Sequence, residues 1–163
     1  MEIRKRFDRR VWFTVFTVAV TIIYIVTGLQ SAEAVNYQIS TVLSIPAIDL
    51  KSDVTELSLN GRQLDTPDTI VGSYSQAENK TLLIGHSTTA FTKLHLAKLG
   101  DTIYYNDGAY RAVEILKLPR GQISMTKVLA GAEEETLILM TCAGTLYNDG
   151  DASHRLMVIA TKE

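Results

Sequence analysis

Three side chains that can act together in acyl transfer lie at the edges of short apolar segments. Cys142, the only cysteine of the chain, closes the apolar run 136–141. His86 follows a short apolar run that ends in glycine, and Arg155 opens another such run. A thiolate can attack a carbonyl carbon, an imidazole can move the proton, and a guanidinium can stabilise the developing oxyanion. These residue types therefore indicate cysteine-based acyl transfer.

The N-terminal part of the chain has the pattern of a membrane anchor. Residues 11–29 are uncharged and mostly apolar, and a helix of that length is about 28 Å long, close to the thickness of a bilayer core. Residues 1–10 hold five basic and two acidic side chains. The positive-inside rule then predicts a single-pass membrane protein with a cytoplasmic N-terminus and an extracellular remainder. A signal peptide cleaved near residues 31–34 is the alternative.

The exported part is expected to form one domain. We predict a polar spacer over residues 30–41 and a domain over residues 42–163, which is long enough to bury a core without disulfides. Residues 30–163 carry 11 basic and 16 acidic side chains, and this acidic balance argues against a nucleic-acid partner. A single cysteine cannot form an internal disulfide, so Cys142 is either a small core residue or a reactive thiol.

Short apolar segments separated by turn signals predict an all-β domain. The expected strands are residues 41–50 (interrupted by Pro46), 81–85, 102–105, 110–118, 136–141 and 155–161, with 54–59 as a strand or a turn. Residues 91–99 have helical spacing, and residues 61–79, 119–135 and 143–154 are predicted to be irregular connections. Seven or eight strands with one short helix favour a mostly antiparallel barrel or sandwich.

Several short motifs follow one another in a distinctive order. They are residues 44–48 (SIPAI), 83–87 (LIGHS), 94–103 (LHLAKLGDTI), 136–142 (TLILMTC) and 155–160 (RLMVIA). In this order, behind an apolar N-terminal segment, they resemble the sortases, the membrane-anchored cysteine transpeptidases of Gram-positive-type bacteria. The resemblance covers about residues 42–161. It implies a closed eight-stranded β-barrel with one or two short helices, here preceded by a single transmembrane helix.

The resemblance also implies a role for each of the three side chains. Cys142 would form a thioester with the threonine of an LPXTG-like sorting signal, His86 would transfer the protons, and Arg155 would hold the oxyanion or align the peptide. The acyl group would then pass to an amine of a cell-wall precursor or of a pilin. A membrane-tethered cysteine peptidase and a non-catalytic peptide-binding barrel remain as alternatives.

The choice among the histidines and arginines follows their positions on the predicted elements. His86 follows a glycine at a strand end, whereas His95 lies within the helical pattern. Strand alternation sends His154 to the face opposite the arginine that follows it. Arg111 and Arg120 are alternatives to that arginine, but neither opens the strand that accompanies the cysteine strand.

Residues beside the proposed nucleophile and base are candidates for substrate contact. We place Ser87, Thr141 and Ala143 in this group. For Thr141 and Ser87, a purely structural role is the alternative, since β-branched residues such as Thr141 are common in strands.

Two acidic clusters, residues 133–135 and 148–151, raise the question of a metal. Some sortases use calcium to order a loop, but those ligands have no residue-by-residue match in this sequence. A solvated turn and an Asx/Gly turn explain the clusters more simply. We therefore predict no metal site and no cofactor, with calcium as the alternative.

Overall fold

The computed structural model describes residues 39–60, 63–148 and 151–163. Outside them lie the predicted cytoplasmic segment (1–10), the predicted membrane anchor (11–29) and all but the last three residues of the predicted spacer (30–41). Within the described ranges, no helix is long and apolar enough to cross a bilayer.

Eight strands close into a barrel, which confirms the predicted all-β, eight-stranded barrel. The described residues form ten strands in all: β1 (Ile39–Ile45), β2 (Leu50–Glu56), β3 (Leu59–Asn60), β4 (Gln63–Leu64), β5 (Val71–Tyr74), β6 (Lys80–Ile84), β7 (Thr102–Tyr105), β8 (Gly108–Pro119), β9 (Thr136–Leu146) and β10 (Ala152–Lys162). Their order around the barrel is β1-β2-β5-β6-β9-β10-β8-β7, and β3 and β4 form a separate pair. Short helical turns are η1 (Pro46–Ile48), η2 (Leu94–Leu96), η3 (Arg120–Gln122) and α1 (Met125–Val128).

Pro46 divides the predicted strand 41–50 into two antiparallel strands. It cannot donate a backbone hydrogen bond to a ladder, and it begins the 3-10 turn η1 instead. Asp49 follows in the left-handed region at φ 47°, with its backbone N–H bonded to the carbonyl oxygen of Pro46 at 3.0 Å. The turn reverses the chain, so that β1 and β2 pair with each other.

The structure corrects the prediction of an irregular segment over residues 61–79, because β5 lies within it. β5 pairs in parallel with β2 and antiparallel with β6. Its sequence, Val-Gly-Ser-Tyr, lacks the alternation that marks a strand, and Gly72 is required because a Cβ there would overlap the side chain of Leu57. Tertiary pairing therefore specifies this strand more than local propensity does.

The helix predicted over residues 91–99 is also reduced, to the single turn η2. Phe91 and Leu94 are buried in the core, as the spacing indicated, but Leu99 is 65% exposed. Two anchoring side chains are too few to stabilise a longer helix, since short helices depend on packing of a continuous apolar face.

The predicted loop over residues 143–154 is wrong. β9 continues to Leu146 and β10 begins at Ala152, so the two strands form a hairpin that extends beyond Cys142. Gly144 adopts φ +83°, and the backbone N–H of Thr145 donates to Oγ of Ser153 at 3.0 Å. This extension was not predicted because its residues mix small, polar and apolar side chains without the alternation that marks a strand.

Both faces of the central strands are covered. On β9, Leu137 and Leu139 pack in the barrel interior, whereas Ile138 and Met140 belong to a second apolar cluster. The connection between β8 and β9 covers that second face with side chains that include Val128. Strands buried on both sides are continuous apolar runs, which is how β9 appears in the sequence. We call this second face, which includes Ile138 and Met140, the outer face.

Candidate active site

Cys142 and Arg155 are direct neighbours across β9 and β10. They are register partners in the antiparallel pair, so their side chains project from the same face with Cβ atoms about 5 Å apart. Strand alternation places Cys142 on the outer face with Ile138 and Met140. Cys142 is a free, half-buried cysteine, so its thiol is neither in a disulfide nor sealed inside the barrel.

His86 leaves β6 close to this pair. β6 lies parallel to β9, and the pairing ends at Ile84 opposite Met140. The backbone N–H of Gly85 then bonds to the carbonyl oxygen of Met140 at 3.3 Å. The hydroxyl of Thr141 donates to the carbonyl oxygen of Gly85 at 2.7 Å in a buried position. These two bonds fix the point at which the chain leaves the sheet, and His86 follows immediately.

One cavity of about 200 Å³ joins the three side chains. Its lining includes His86, Cys142 and Arg155, together with Thr66, Ile84 and Met140. His86, Cys142 and Arg155 thus border the same space, and Ile84 and Met140 give it an apolar wall.

The guanidinium of Arg155 is held at three points. Its Nη1 donates to the carbonyl oxygens of Ala152 and His154 at 3.1 and 3.2 Å, and its Nη2 donates to Oδ1 of Asp151 at 2.7 Å. The hydrogen bond from Arg155 holds the pKa of the Asp151 carboxyl below its ordinary value. The backbone N–H of Ala152 and the guanidinium of Arg120 also lower this pKa, whereas desolvation raises it by a smaller amount than these contacts lower it. Asp151 is therefore ionised at neutral pH.

The three candidate substrate contacts differ in position. Thr141 lines the cavity, but its hydroxyl is already bonded to the protein backbone. Ala143 packs against the core inside the barrel, and Ser87 is not among the residues that line the cavity. Contacts of Ser87 and Ala143 with a substrate stay predictions.

Of the competing residues, His154 and Arg111 have other partners, whereas Arg120 lies close to Arg155. His154 shares a hydrogen bond of 2.8 Å between its Nδ1 and Oγ of Ser153, and Arg111 forms an ion pair with Glu163. Arg120 was considered only as an alternative to Arg155, yet it contacts Asp151 beside the cavity arginine. The sequence signal for Asp151 was weak, because it stands in a turn-forming run and its proximity to Arg155 depends on the end of the hairpin.

The calcium hypothesis stays untested. Among residues 39–60, 63–148 and 151–163, no group of three or more His, Cys, Asp or Glu side chains is placed to hold a metal ion. The acidic cluster at 148–151 includes two residues outside these ranges.

Comparisons with known proteins agree with this architecture. The model of the Sortase domain matches residues 43–163, whereas the curated proteins give no match. Similar solved structures include a lid mutant of sortase A from Corynebacterium diphtheriae (24% identity, 83% of this chain and 74% of that one, TM-score 0.60). Sortase A from Listeria monocytogenes (17% identity, 77% and 87%, TM-score 0.58) and sortase C-1 from Actinomyces oris (23% identity, 76% and 71%, TM-score 0.55) are also similar. These identities establish a shared fold, and because the family model covers most of the sequence, the chain belongs to the sortase family.

Proposed function

We propose that this protein is a cysteine transpeptidase that cleaves an LPXTG-like sorting signal and joins the new C-terminal threonine to an amine. The observation that carries this proposal is the convergence of Cys142, His86 and Arg155 on one cavity. They come from three neighbouring strands or strand ends, and each supplies a different part of acyl-transfer chemistry.

In the first half-reaction, the thiolate of Cys142 attacks the threonine carbonyl carbon and a C–S bond forms. The carbonyl oxygen becomes an oxyanion, which the permanently charged guanidinium of Arg155 stabilises. The C–N bond then breaks, and the imidazolium of His86 gives its proton to the departing amine. The products are a thioester on Cys142, a neutral imidazole and the released C-terminal peptide.

In the second half-reaction, an acceptor amine attacks the thioester carbonyl. Neutral His86 takes the proton of that amine, and Arg155 again faces the oxyanion. The C–S bond breaks, which restores the thiolate and the imidazolium and leaves a new amide. Water in place of the amine would give a carboxylic acid, the product of a cysteine peptidase.

We further propose that the reaction takes place on the outer surface of the cell membrane. The apolar residues 11–29 and the basic residues 1–10 support a single-pass anchor with its N-terminus in the cytoplasm. The substrates would then be secreted proteins with C-terminal sorting signals, and the acceptor an amine of a cell-wall precursor or of a pilin.

The test uses the full chain in a mild detergent with Leu-Pro-x-Thr-Gly peptides and either glycine or a diamine. Mass spectrometry of the peptides distinguishes the three candidate activities, with Cys142→Ala as the control. A new amide that depends on Cys142 supports the transpeptidase, and acid alone in the presence of amine indicates a peptidase. Peptide binding without any turnover, together with a thiol that small alkylating reagents do not modify, would indicate a binding barrel.

A further inference from the structure

The Asp151 carboxylate bridges two guanidinium groups at the edge of the cavity. Its Oδ1 accepts from Arg155 at 2.7 Å, and its Oδ2 accepts from Nη1 of Arg120 at 2.9 Å. Oδ1 also accepts from the backbone N–H of Ala152 at 2.8 Å. Both oxygens are therefore engaged, and the carboxylate cannot rotate without breaking a contact.

The second guanidinium is itself fixed in place. The Cζ atom of Arg120 lies 4.9 Å from the ring centroid of Tyr147, a distance typical of cation–π contact. The backbone N–H of Tyr147 donates to the carbonyl oxygen of Asp151 at 2.8 Å. Arg120 follows β8, Tyr147 follows β9 and Asp151 precedes β10, so these contacts connect the ends of three neighbouring strands.

Arg155 retains hydrogen-bonding capacity after these contacts are made. An arginine has five N–H donors, and three of those on Arg155 serve Ala152, His154 and Asp151. Among the described residues, no acceptor is found for its Nε–H or for its second Nη2–H. These are the donors that remain for a substrate oxygen.

We propose that Asp151 is a positioning residue of this site: it fixes the guanidinium of Arg155, the register partner of Cys142, and Arg120 and Tyr147 hold Asp151. The proposal rests on the acyl-transfer function proposed above. Asp151 does not touch the reacting atoms, and it acts only through Arg155. The side chain of Arg155 is 21% exposed and those of Asp151 and Arg120 are 38% and 41% exposed, and ion pairs at such exposure contribute little to stability. Their consequence lies in the orientation of the guanidinium.

The rival interpretation of the same contacts is that Asp151 inhibits the reaction. A carboxylate bonded to Arg155 lowers the positive charge that an oxyanion would meet, and its removal would then accelerate the reaction. The positioning role predicts the opposite sign. The two interpretations therefore differ in the direction of the rate change.

The experiment measures single-turnover acylation of Cys142 in the full chain by a Leu-Pro-x-Thr-Gly peptide. Asp151→Ala should slow acylation about tenfold, with less than about a twofold change in the peptide concentration for half-maximal rate, because a misplaced guanidinium affects the transition state more than binding. Asp151→Asn should lie between this variant and the wild type, since its amide oxygen still accepts a hydrogen bond. In an Arg155→Ala background, Asp151→Ala should have no further effect. The matched control is Arg111→Ala, which removes an arginine ion pair that does not border the cavity.

Three results would overturn the proposal. They are a rate equal to or above that of the wild type for Asp151→Ala, an equal loss in the Arg155→Ala background, and a change confined to the half-maximal concentration. A second readout does not depend on turnover: the order parameter of the Arg155 Nε–H group by NMR should fall in Asp151→Ala and stay unchanged in Arg111→Ala. If the wild type forms no acyl adduct, the proposed function fails, and the NMR comparison alone decides whether Asp151 holds Arg155.

Discussion

The two ends of β10 each carry a small network of charged and polar side chains. At the N-terminal end, Asp151 bridges Arg155 and Arg120. At the C-terminal end, Glu135 accepts from Lys162 at 2.6 Å and from the hydroxyl of Tyr110. The chemical groups are similar, but only the first network borders the cavity that contains the thiol.

The difference shows how one type of interaction serves two purposes. At the C-terminal end, Tyr110 is buried, and its bond to Glu135 satisfies a polar group that would otherwise be unpaired inside the barrel. At the N-terminal end, the bonds hold the guanidinium of Arg155, which we propose they orient for a substrate. The contrast predicts that changes at the first end reduce activity, whereas changes at the second reduce stability.

The largest effect is expected for Cys142→Ala. Loss of the nucleophile should reduce acyl transfer by about 10³-fold or more, whereas the free energy of unfolding should change by less than about 1 kcal/mol because the thiol is half-buried at the cavity. Product formation and urea unfolding measure the two quantities. A large fall in stability would show that Cys142 is a core residue and would contradict the assignment of this end of β10 to activity.

Arg155→Ala should reduce acyl transfer by about 10²- to 10³-fold, the range expected for loss of an oxyanion donor. The comparable arginine near the opposite end is Arg111, which pairs with Glu163. Arg111→Ala should leave acyl transfer unchanged. Equal losses in both variants would mean that charge alone, and not its place beside the cavity, accounts for the effect.

A pair of threonines on β9 tests the contrast on one strand. Thr141 donates to the carbonyl oxygen of Gly85 at 2.7 Å, and Thr136, at the other end, donates to that of Glu134 at 2.8 Å. Replacing either by valine should destabilise the fold by about 1–2 kcal/mol, because a backbone acceptor loses its partner. Only Thr141→Val should also slow acyl transfer, by about tenfold, since its bond fixes the segment that carries His86. Parallel urea unfolding and activity assays measure the two effects, and similar activity of both variants would contradict this role.

The smallest effect on activity, none, is expected for Tyr110→Phe. Burial, followed by the hydrogen bond with Glu135, raises the pKa of Tyr110 above its ordinary value. In the unfolded state the hydroxyl ionises near pH 10, so above that pH the unfolded chain binds fewer protons than the folded one and stability falls as pH rises. Tyr110→Phe should lower the free energy of unfolding at pH 8 by about 1 kcal/mol and flatten the loss between pH 9 and pH 11. If the free energy of unfolding, measured in urea, falls between pH 9 and pH 11 as steeply in Tyr110→Phe as in the wild type, another group titrates.

The central strands of the fold were predictable because both their faces are buried. Residues 136–141 form a mostly apolar run, as expected for a short strand that is covered on both faces. β5 was not predictable from its own residues, because Gly72 leaves room for the side chain of Leu57, just after β2, and Ser73 donates to the carbonyl oxygen of Thr55 on β2. The ends of β9 and β10 were missed for a related reason, since their pairing depends on a hairpin and not on apolar alternation.

The candidate site likewise contains residues marked by the sequence pattern and one that depends on tertiary pairing. Cys142 and Arg155 flank strands that the sequence already marks, so their convergence followed from simple pairing. His86 was placed by its motif, and the structure adds the Thr141 bond that fixes its segment. Asp151 could not be found in this way, because its contact with Arg155 exists only when the hairpin continues past Cys142.

The most direct test of the central claim is the site of covalent attachment. The full chain is mixed with a Leu-Pro-x-Thr-Gly peptide without an acceptor amine, quenched in acid, and mapped by peptide mass spectrometry. We expect a thioester on Cys142 with the mass of the peptide up to its threonine, removed by hydroxylamine and absent in Cys142→Ala. A wild-type chain that processes the peptide with no adduct on Cys142, or with the adduct on another residue, would contradict this claim.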